Sequence, residues 1–257
     1  MSVKLSSIED ALVDFKQGKI LIVIDDEDRE NEGDFICAAE TCTPEIMNIM
    51  IKYGSGFVCA PTTGNRLTEL SIPMMVEAND SRLGTAMTVT VDARVGTTTG
   101  VSAEDRATTV RLLADPSARG TDFTKPGHIV PLRAAQGGVL RRAGHTEAAV
   151  DLCRLAGLQP MGVLAEVMND DGTMARTPQL FAIAEKLGFK VITIADLIAY
   201  RRKTERLITR TASTTLPTKN YGTVMVHAYE SEIWPQPAIA LVWGDLSGEE
   251  PPLVRVH

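Results

Sequence analysis

Hydrophobic and polar positions alternate along the chain with two periods, which predict an interleaved series of helices and strands. Residues 7–18 carry Ile8, Leu12 and Phe15 at helical spacing after Ser7, a typical N-cap. Further helical patterns occupy residues 43–54, 102–115, 145–157, 177–188 and the second half of 190–203. Short apolar runs predict strands at residues 19–25, 34–40, 55–60, 86–92, 161–168 and the start of 190–203.

Signals for helix starts support this pattern. Thr43 precedes Pro44, which suits the first position of a helix, and Ser102 with Asp105 forms a capping-box pattern. Thr146 is a suitable N-cap for the helix within residues 145–157. Helices and strands interleave without a strict βαβ repeat, so the predicted class is α/β (α+β), a layered mixed β-sheet covered by helices.

The composition of the chain changes near residue 200. The segment that follows is basic and then rich in threonine and serine, and two later apolar runs resemble strands of a new unit. Only about fifty residues follow, which is too few for an α/β domain of ordinary size. We therefore predict a first domain over residues 1–202, a linker over 203–220 and a short β-rich C-terminal fragment over 221–257.

Charge and cysteine usage exclude several classes of function. With 257 residues and a net charge of −7, the chain lacks the basic character of a general nucleic-acid binder. Its four cysteines show no CxxC spacing, which favours a reducing compartment over a disulfide framework. No apolar run reaches membrane-spanning length, and the N-terminus shows no signal-peptide pattern. The sequence predicts a cytoplasmic protein that binds neither nucleic acid nor membrane.

The densest chemical signal is a cluster of seven carboxylates within residues 25–34, DDEDRENEGD, directly after a predicted strand. Such crowding costs stability unless a cation lies among the side chains. A solvated surface loop is the plain alternative, because most charged runs are solvated. The acidic spacing differs from that of an EF-hand loop, and hard oxygen ligands suit Mg²⁺ or Mn²⁺. Surplus carboxylates could transfer protons, because repulsion between close carboxylates moves their pKa values apart and keeps one of them protonated near neutral pH.

Two further segments and a histidine carry candidate chemistry. Arg142, His145 and Thr146 stand together at the start of a predicted helix, where free N–H groups form an anion site. His145 could bind metal or titrate, and the alternative is an ordinary surface histidine. Glu166 interrupts an apolar strand, so it lies either at an exposed strand end or partly buried as a general base. His128 follows a Pro-Gly turn, a setting in which a structural role is the commoner one.

Five segments taken together resemble 3,4-dihydroxy-2-butanone 4-phosphate synthase, an enzyme family of riboflavin biosynthesis. The resemblance extends in order from about residue 4 to residue 200, through DDEDRENEGDF, TTGVSAEDRATT, PGHIVPLRA, RRAGHTEAAVDL and GVLAEVMNDDGTMAR. It implies a homodimeric α/β enzyme that converts D-ribulose 5-phosphate, a small sugar phosphate, to L-3,4-dihydroxy-2-butanone 4-phosphate and formate. It also implies two Mg²⁺ or Mn²⁺ ions in each site, near the subunit interface.

The resemblance implies three groups of site residues, with some residues in more than one group. The metal ligands would be Glu30 and His145. The substrate-binding residues would be Arg29, Glu30, Asp34, Arg142, Ala143, Gly144, His145, Thr146 and Glu166. The catalytic residues would be His128, Glu166 and Asp34.

The implied reaction defines what these residues must do. A base removes the C3 proton of ribulose 5-phosphate, metal ions stabilise the enediolate, and a skeletal rearrangement releases C4 as formate. The sequence leaves open which residue moves each proton. It also leaves open whether Asp92, Thr98, Thr99 and Cys59 line the pocket or serve in a turn and in the core.

From about residue 216 the chain resembles the beginning of GTP cyclohydrolase II. That family needs a zinc site built from cysteines, and no cysteine follows Cys153. We therefore expect a truncated bifunctional protein with a poorly ordered tail and without cyclohydrolase activity. Two other functions are alternatives for the chain as a whole: a non-catalytic regulator that binds metal and phosphate, and a metal-dependent sugar-phosphate phosphatase.

Overall fold

The computed structural model describes residues 4–220, 222–231, 233, 236–248 and 251–256, so Tyr221, where a strand is predicted to begin, lies outside the described residues. The chain divides into two compact units, residues 1–203 and 204–257. Among the described residues, no helix combines the length and the apolar content that a membrane span requires.

Helices and strands interleave along the chain, as the sequence predicts. The α-helices are α1 (Ile8–Lys16), α2 (Pro44–Tyr53), α3 (Gly64–Glu69), α4 (Ala103–Ala114), α5 (His145–Leu155), α6 (Thr177–Leu187) and α7 (Ile194–Thr204). The strands are β1 (Leu21–Ile24), β2 (Gly33–Ala38), β3 (Cys59–Thr62), β4 (Val91–Ala93), β5 (Phe123–Arg133), β6 (Gly162–Glu166), β7 (Lys190–Thr193), β8 (Thr209–Thr218), β9 (Gly222–Glu230) and β10 (Ala238–Val242).

The described part of the first unit is built on a mixed sheet of seven strands in the order β4-β5-β3-β6-β2-β1-β7. Strand β2 pairs antiparallel with both β1 and β6, at the centre of the sheet. Strand β1 also pairs parallel with β7, and β3 pairs parallel with β5. Helices cover both faces, so the predicted layered mixed sheet is confirmed.

The alternation of side chains along the central strands divides the core into two layers. On one face, sheet residues such as Phe35 pack against α2, α3, α4 and α6. On the other face, residues such as Val23 and Ile36 pack against α1, α5 and α7. Residues two apart on a strand share a face, so Asp34 and its register partner Glu166 lie on the face that α5 covers.

The structure tests three of the predicted helix starts. Those at Thr43 and Ser102 are confirmed, because each side chain accepts a hydrogen bond from the backbone N–H three residues along, at 3.3 Å and 3.0 Å. The cap predicted at Thr146 is wrong. Helix α5 begins at His145, and its N-cap is Gly144, which has no side chain to bond the first turn. The first-turn N–H groups of α5 are therefore left for another acceptor.

The second unit contains, within its described residues, a three-stranded antiparallel sheet in the order β10-β9-β8. Strand β8 lies inside the segment 203–220, for which composition predicts a linker. Its threonines are β-branched and suit an extended strand, and β9 supplies pairing partners that composition does not reveal. The ordered sheet also differs from the poorly ordered tail that we expected.

Candidate active site

The strand register places the predicted site residues of the central strands side by side across the sheet. Glu166 of β6 is the register partner of Asp34 on β2, and Asp34 is the partner of Val23 on β1. Cys59 of β3 is paired with Leu164, two residues before Glu166. These strand ends therefore form a continuous edge on the face that α5 covers.

His145 brings the start of α5 onto this edge. Its Nδ1 lies 3.4 Å from Glu30 Oε2 and 3.7 Å from Asp34 Oδ1. Its Nε2 donates to the Val23 carbonyl oxygen at 3.0 Å, because a carbonyl can only accept. In the neutral ring Nδ1 thus keeps the lone pair that a metal ion requires. Asp25 joins Glu30 and His145 in a cluster whose ligand atoms all lie within 4.8 Å of one another.

Asp25 also organises the acidic loop around itself. Its Oδ2 accepts from the backbone N–H of Glu30 at 3.1 Å, and its Oδ1 accepts from that of Glu32 at 2.9 Å. Arg29 Nη1 lies 2.9 Å from Asp25 Oδ2 and 2.5 Å from Glu30 Oε2. Arg176 binds the Glu30 carbonyl oxygen at 2.9 Å. The inner half of the loop is therefore a folded element and not a solvated run.

Burial and neighbouring charges give this cluster unusual electrostatics. Burial, aided by the charges of Glu166 and Glu30, raises the pKa of Asp34 from 3.8 to about 7. Hydrogen bonding to His145 instead lowers the pKa of Glu30 to about 2. Burial alone would lower the pKa of His145, but the charges of Asp34, Glu30 and Asp25 raise it to about 9. The cluster therefore combines a firmly ionised carboxylate with one that titrates near neutral pH.

The donor set fits a divalent cation. Asp34 Oδ1 is buried and has no hydrogen-bond partner among the described residues, so an oxygen lone pair is left unsatisfied. Carboxylate oxygen and imidazole nitrogen together suit Mg²⁺ or Mn²⁺. Both oxygens of Asp25 are already engaged by backbone N–H groups and Arg29. Glu30 and His145 are thus the residues best placed to hold the ion.

A cavity next to the start of α5 offers an anion site. Its volume is about 210 Å³, and Arg133, Arg142, Thr146 and Glu147 are among its lining residues. Arg142 Nη1 donates to Glu147 Oε2 at 2.7 Å, and its Nη2 donates to the Leu83 carbonyl oxygen at 3.1 Å. Guanidinium groups and the N–H groups of a helix start both favour a phosphate.

Gly144 lets two arginines converge on this helix start. A Cβ at this position would collide with Arg142 Nη1 and would lie 3.0 Å from Arg29 Nη2 and from Glu147 Oε2. The missing side chain thus allows the arginine of the acidic loop and the arginine of the cavity to approach the same stretch of backbone.

His128 stands apart from this cluster, and the turn predicted before it is wrong, because Pro126 and Gly127 lie inside strand β5. Its Nδ1 lies 2.7 Å from Asp92 Oδ2, and its backbone N–H donates to Asp92 Oδ1 at 2.9 Å. His128 lies on β5 and Glu166 on β6, and strand β3 lies between them. Two strand spacings, roughly 10 Å in total, therefore separate the two residues. The side chain is 44% exposed. The structure therefore gives His128 a carboxylate that orients its ring, but no contact with the cluster within the described residues.

The structure also bears on two residues whose roles the sequence left open. Thr98 donates from its hydroxyl to Asp105 Oδ2 at 2.8 Å and from its backbone N–H to Oδ1 at 3.0 Å, so it closes a turn. Cys59 lies beside the cluster, because it pairs in register with Leu164, two residues before Glu166. Burial, with the charges of Asp34 and Glu166, raises the pKa of its thiol.

Sequence reasoning missed three residues of the site. Asp25 was one of seven carboxylates in a short run, and nothing in the sequence separates the loop organiser from its neighbours. Glu147 and Arg133 line the cavity only because α5 and the end of β5 meet there. The one available signal was the position of Glu147 in the first turn of α5, where an acidic residue is common.

The sequence model of the 3,4-dihydroxy-2-butanone 4-phosphate synthase family matches residues 9–200. The chain belongs to this family. The riboflavin biosynthesis protein RibBA of Bacillus cereus (strain G9842) is 55% identical over 250 residues, which cover 97% of this chain and 62% of the relative. RibBA of Aquifex aeolicus (strain VF5) is 50% identical over 256 residues, which cover 99% and 63%. The chain thus spans about three fifths of the length of these curated relatives.

Solved synthase structures share the fold. RibBX, a two-domain synthase from A. baumannii, superposes with a TM-score of 0.85 at 44% identity, over 93% of this chain and 70% of that one. A synthase solved in complex with two magnesium ions superposes with a TM-score of 0.77 at 46% identity, over 78% of this chain and 98% of that one. The family model of GTP cyclohydrolase II matches residues 209–257, within the second unit.

The cation-free protein is expected to lose stability as the pH rises from about 4 to about 7. Asp34 titrates near 3.8 in the unfolded chain and near 7 in the fold, so between these values the folded state binds more protons. Stability falls with rising pH wherever that is so. In thermal denaturation with EDTA, the melting temperature should fall less between pH 5 and pH 7 for Asp34→Asn than for the unmodified protein. Asp26→Asn, in the exposed part of the loop, is the control; equal drops in all three proteins would contradict the expectation.

Gly144→Ala is expected to reduce the kcat/KM of the reaction proposed below by roughly 10²-fold, because a displacement of about 1 Å at a positioned group has this effect. The added methyl group would displace a guanidinium from the helix start. Gly248→Ala is the control, since a Cβ there meets open space. Unchanged kinetics for Gly144→Ala would show that the arginines do not act at this position.

Proposed function

We propose that the chain converts D-ribulose 5-phosphate to L-3,4-dihydroxy-2-butanone 4-phosphate and formate, as a lyase that depends on two Mg²⁺ or Mn²⁺ ions. One observation carries this proposal: His145 Nδ1 faces Glu30 and the unpartnered Asp34 oxygen, one residue before the anion-binding turn at Thr146. The residues that would hold a cation and those that would hold the phosphate thus adjoin each other at the first turn of one helix.

The residues of the site divide the work of the reaction. Arg142 and the first turn of α5 would bind the phosphate, and Arg29 would orient the sugar against the acidic loop. Glu30 and His145 would hold the ions, which when bound supply positive charge that stabilises the negative charge developing on the substrate.

Proton transfer falls to the carboxylates at the strand edge. Glu166 lies at an exposed strand end and not partly buried, and it would still remove the C3 proton because it is the register partner of Asp34 on the face that α5 covers. The pKa of Asp34, about 7, suits a group that takes up and releases protons near neutral pH. The His128–Asp92 pair would act as a second proton-transfer group.

We further propose that the chain acts as a homodimer in the cytoplasm. Phe57 and Val101 are 48% and 46% exposed, and Arg106 joins their segments by donating to the carbonyl oxygens of Gly56 at 2.9 Å and Val101 at 2.8 Å. Exposed apolar patches mark interaction surfaces. The four cysteines are buried and free, as in a reducing compartment.

Phe57→Asp is expected to shift the sedimentation coefficient toward that of a monomer, because it places a charge on the exposed apolar surface proposed for the dimer.

A product assay tests the proposed reaction. Ribulose 5-phosphate with Mg²⁺ should yield formate, and EDTA should stop its release. Release of inorganic phosphate without formate would favour the phosphatase. Absence of both products would favour the regulator.

We also propose that residues 209–257 alone have no cyclohydrolase activity, because they contain no cysteine for a zinc site.

A further inference from the structure

We propose that Glu147 is a positioning residue that fixes the guanidinium of Arg142 for phosphate binding. The proposal rests on the proposed function, because it assigns a role at the phosphate end of the same site. Glu147 lies in the first turn of α5, two residues after His145, and its side chain is 1% exposed. A carboxylate so completely buried needs partners for both oxygens.

Each oxygen of Glu147 holds a different side of the cavity. Its Oε2 accepts from Arg142 Nη1 at 2.7 Å, and its Oε1 accepts from the backbone N–H of Ala135 at 2.8 Å. Arg142 and Ala135 both line the cavity of about 210 Å³. One side chain thus joins the arginine to the segment that follows β5, and it sets the distance between them.

Arg142 is held in a defined plane and still has free donors. Its Nη1 and Nη2 each make one bond, to Glu147 and to the Leu83 carbonyl oxygen. A guanidinium has five N–H groups, so about three are left for an anion. Fixing the side chain before binding removes the rotamer entropy that an unrestrained arginine would lose.

The sign of charge in the cavity is consistent with this role. A carboxylate by itself would repel a phosphate, but Arg142 and Arg133 both line the cavity with Glu147 and leave it with a net positive charge. The hydroxyl of Thr146 and the N–H groups of the helix start add neutral donors. Glu147 therefore orients one cation without cancelling the attraction for the anion.

A double-mutant cycle on the full chain separates positioning from a purely structural role. Glu147→Gln keeps the shape but turns an amide toward Arg142, and it is expected to raise the KM for ribulose 5-phosphate about tenfold with kcat changed less than about twofold. In an Arg142→Ala background, Glu147→Gln should have no further effect on KM. Glu104→Gln, in the exposed first turn of α4, is the matched control and should leave KM unchanged.

Two results would overturn the proposal. One is a KM for Glu147→Gln equal to that of the unmodified protein. The other is a double variant whose KM increase equals the product of the increases in Glu147→Gln and Arg142→Ala. This would show that Glu147 acts independently of Arg142.

The binding of inorganic phosphate by the variants tests the proposal independently of the reaction. Arg142→Lys retains the charge but cannot bond Glu147 and Leu83 from two nitrogens in one plane, so it should bind inorganic phosphate about tenfold more weakly in calorimetry. Binding equal to that of the unmodified protein would overturn the positioning role. If the unmodified chain released no formate, the proposed function would fail, while phosphate affinities of Glu147→Gln and Arg142→Lys would still decide the role of Glu147.

Discussion

Glu30→Gln is expected to abolish divalent-cation binding and to reduce formate release by roughly 10³-fold or more, which corresponds to several kcal/mol of lost transition-state stabilisation. Glu30 Oε2 lies 3.4 Å from His145 Nδ1, and the pKa of about 2 keeps this carboxylate ionised at all physiological pH values. An amide in its place supplies one neutral oxygen and a donor group that repels cations. Calorimetric titration with Mn²⁺ and the formate assay measure the two effects.

Glu27→Gln is the matched control for Glu30→Gln. Glu27 lies three residues earlier in the same acidic loop, but its side chain is exposed and outside the cluster of Asp25, Glu30 and His145. Its replacement should leave Mn²⁺ binding and formate release within about twofold of the unmodified protein. If both variants lost Mn²⁺ binding equally, the loop would attract cations by its total charge and not by a built site.

Glu166→Gln is expected to lower kcat by about 10²–10⁴-fold while Mn²⁺ binding is retained, because removing a general base has effects of this size. Glu166 pairs in register with Asp34 at the edge of the site, and its charge contributes to the raised pKa of Asp34. Loss of that charge should also lower the pKa of Asp34. The pH dependence of residual activity should therefore shift toward acid.

Asp170→Asn is the control for Glu166→Gln, since Asp170 is exposed in the turn after β6 and undergoes the same change from carboxylate to amide. It should leave kcat and the pH dependence unchanged. Full turnover of Glu166→Gln would contradict the role of Glu166 as the base and would make Asp34 the next candidate for that role.

Much of the fold follows from local sequence patterns. The apolar run before residue 25 predicts a buried strand, and β1 has all four residues buried. Thr43 and Ser102 mark helix starts because their side chains cap the next turn within four residues of chain. The order of the seven strands does not follow in this way, because β2 pairs with β6 across more than a hundred residues. Strand pairing at such distance leaves no periodic trace in a single sequence.

The composition of the site was predicted in part, and its geometry was not. Crowded carboxylates indicated a cation near residues 25–34, and Arg142 with Thr146 indicated an anion at a helix start. The sequence did not indicate that Asp25 binds the loop backbone, nor that Glu147 holds Arg142. It also predicted Thr146 as the N-cap of α5, because threonine is a common capping residue. The N-cap is Gly144, where the guanidinium groups of Arg142 and Arg29 leave little room for a side chain.

The sequence by itself determined the class of fold, the family of the chain and the chemical character of its site, because these depend on residue types and on spacing within short segments. Only the tertiary structure decided which carboxylates of the acidic loop are buried beside His145 and how their pKa values differ. The pKa of Asp34 is about 7 and that of Glu30 is about 2, although both lie in one ten-residue run. Their difference arises from burial and from contact with His145, a residue more than a hundred positions away that α5 places against the sheet.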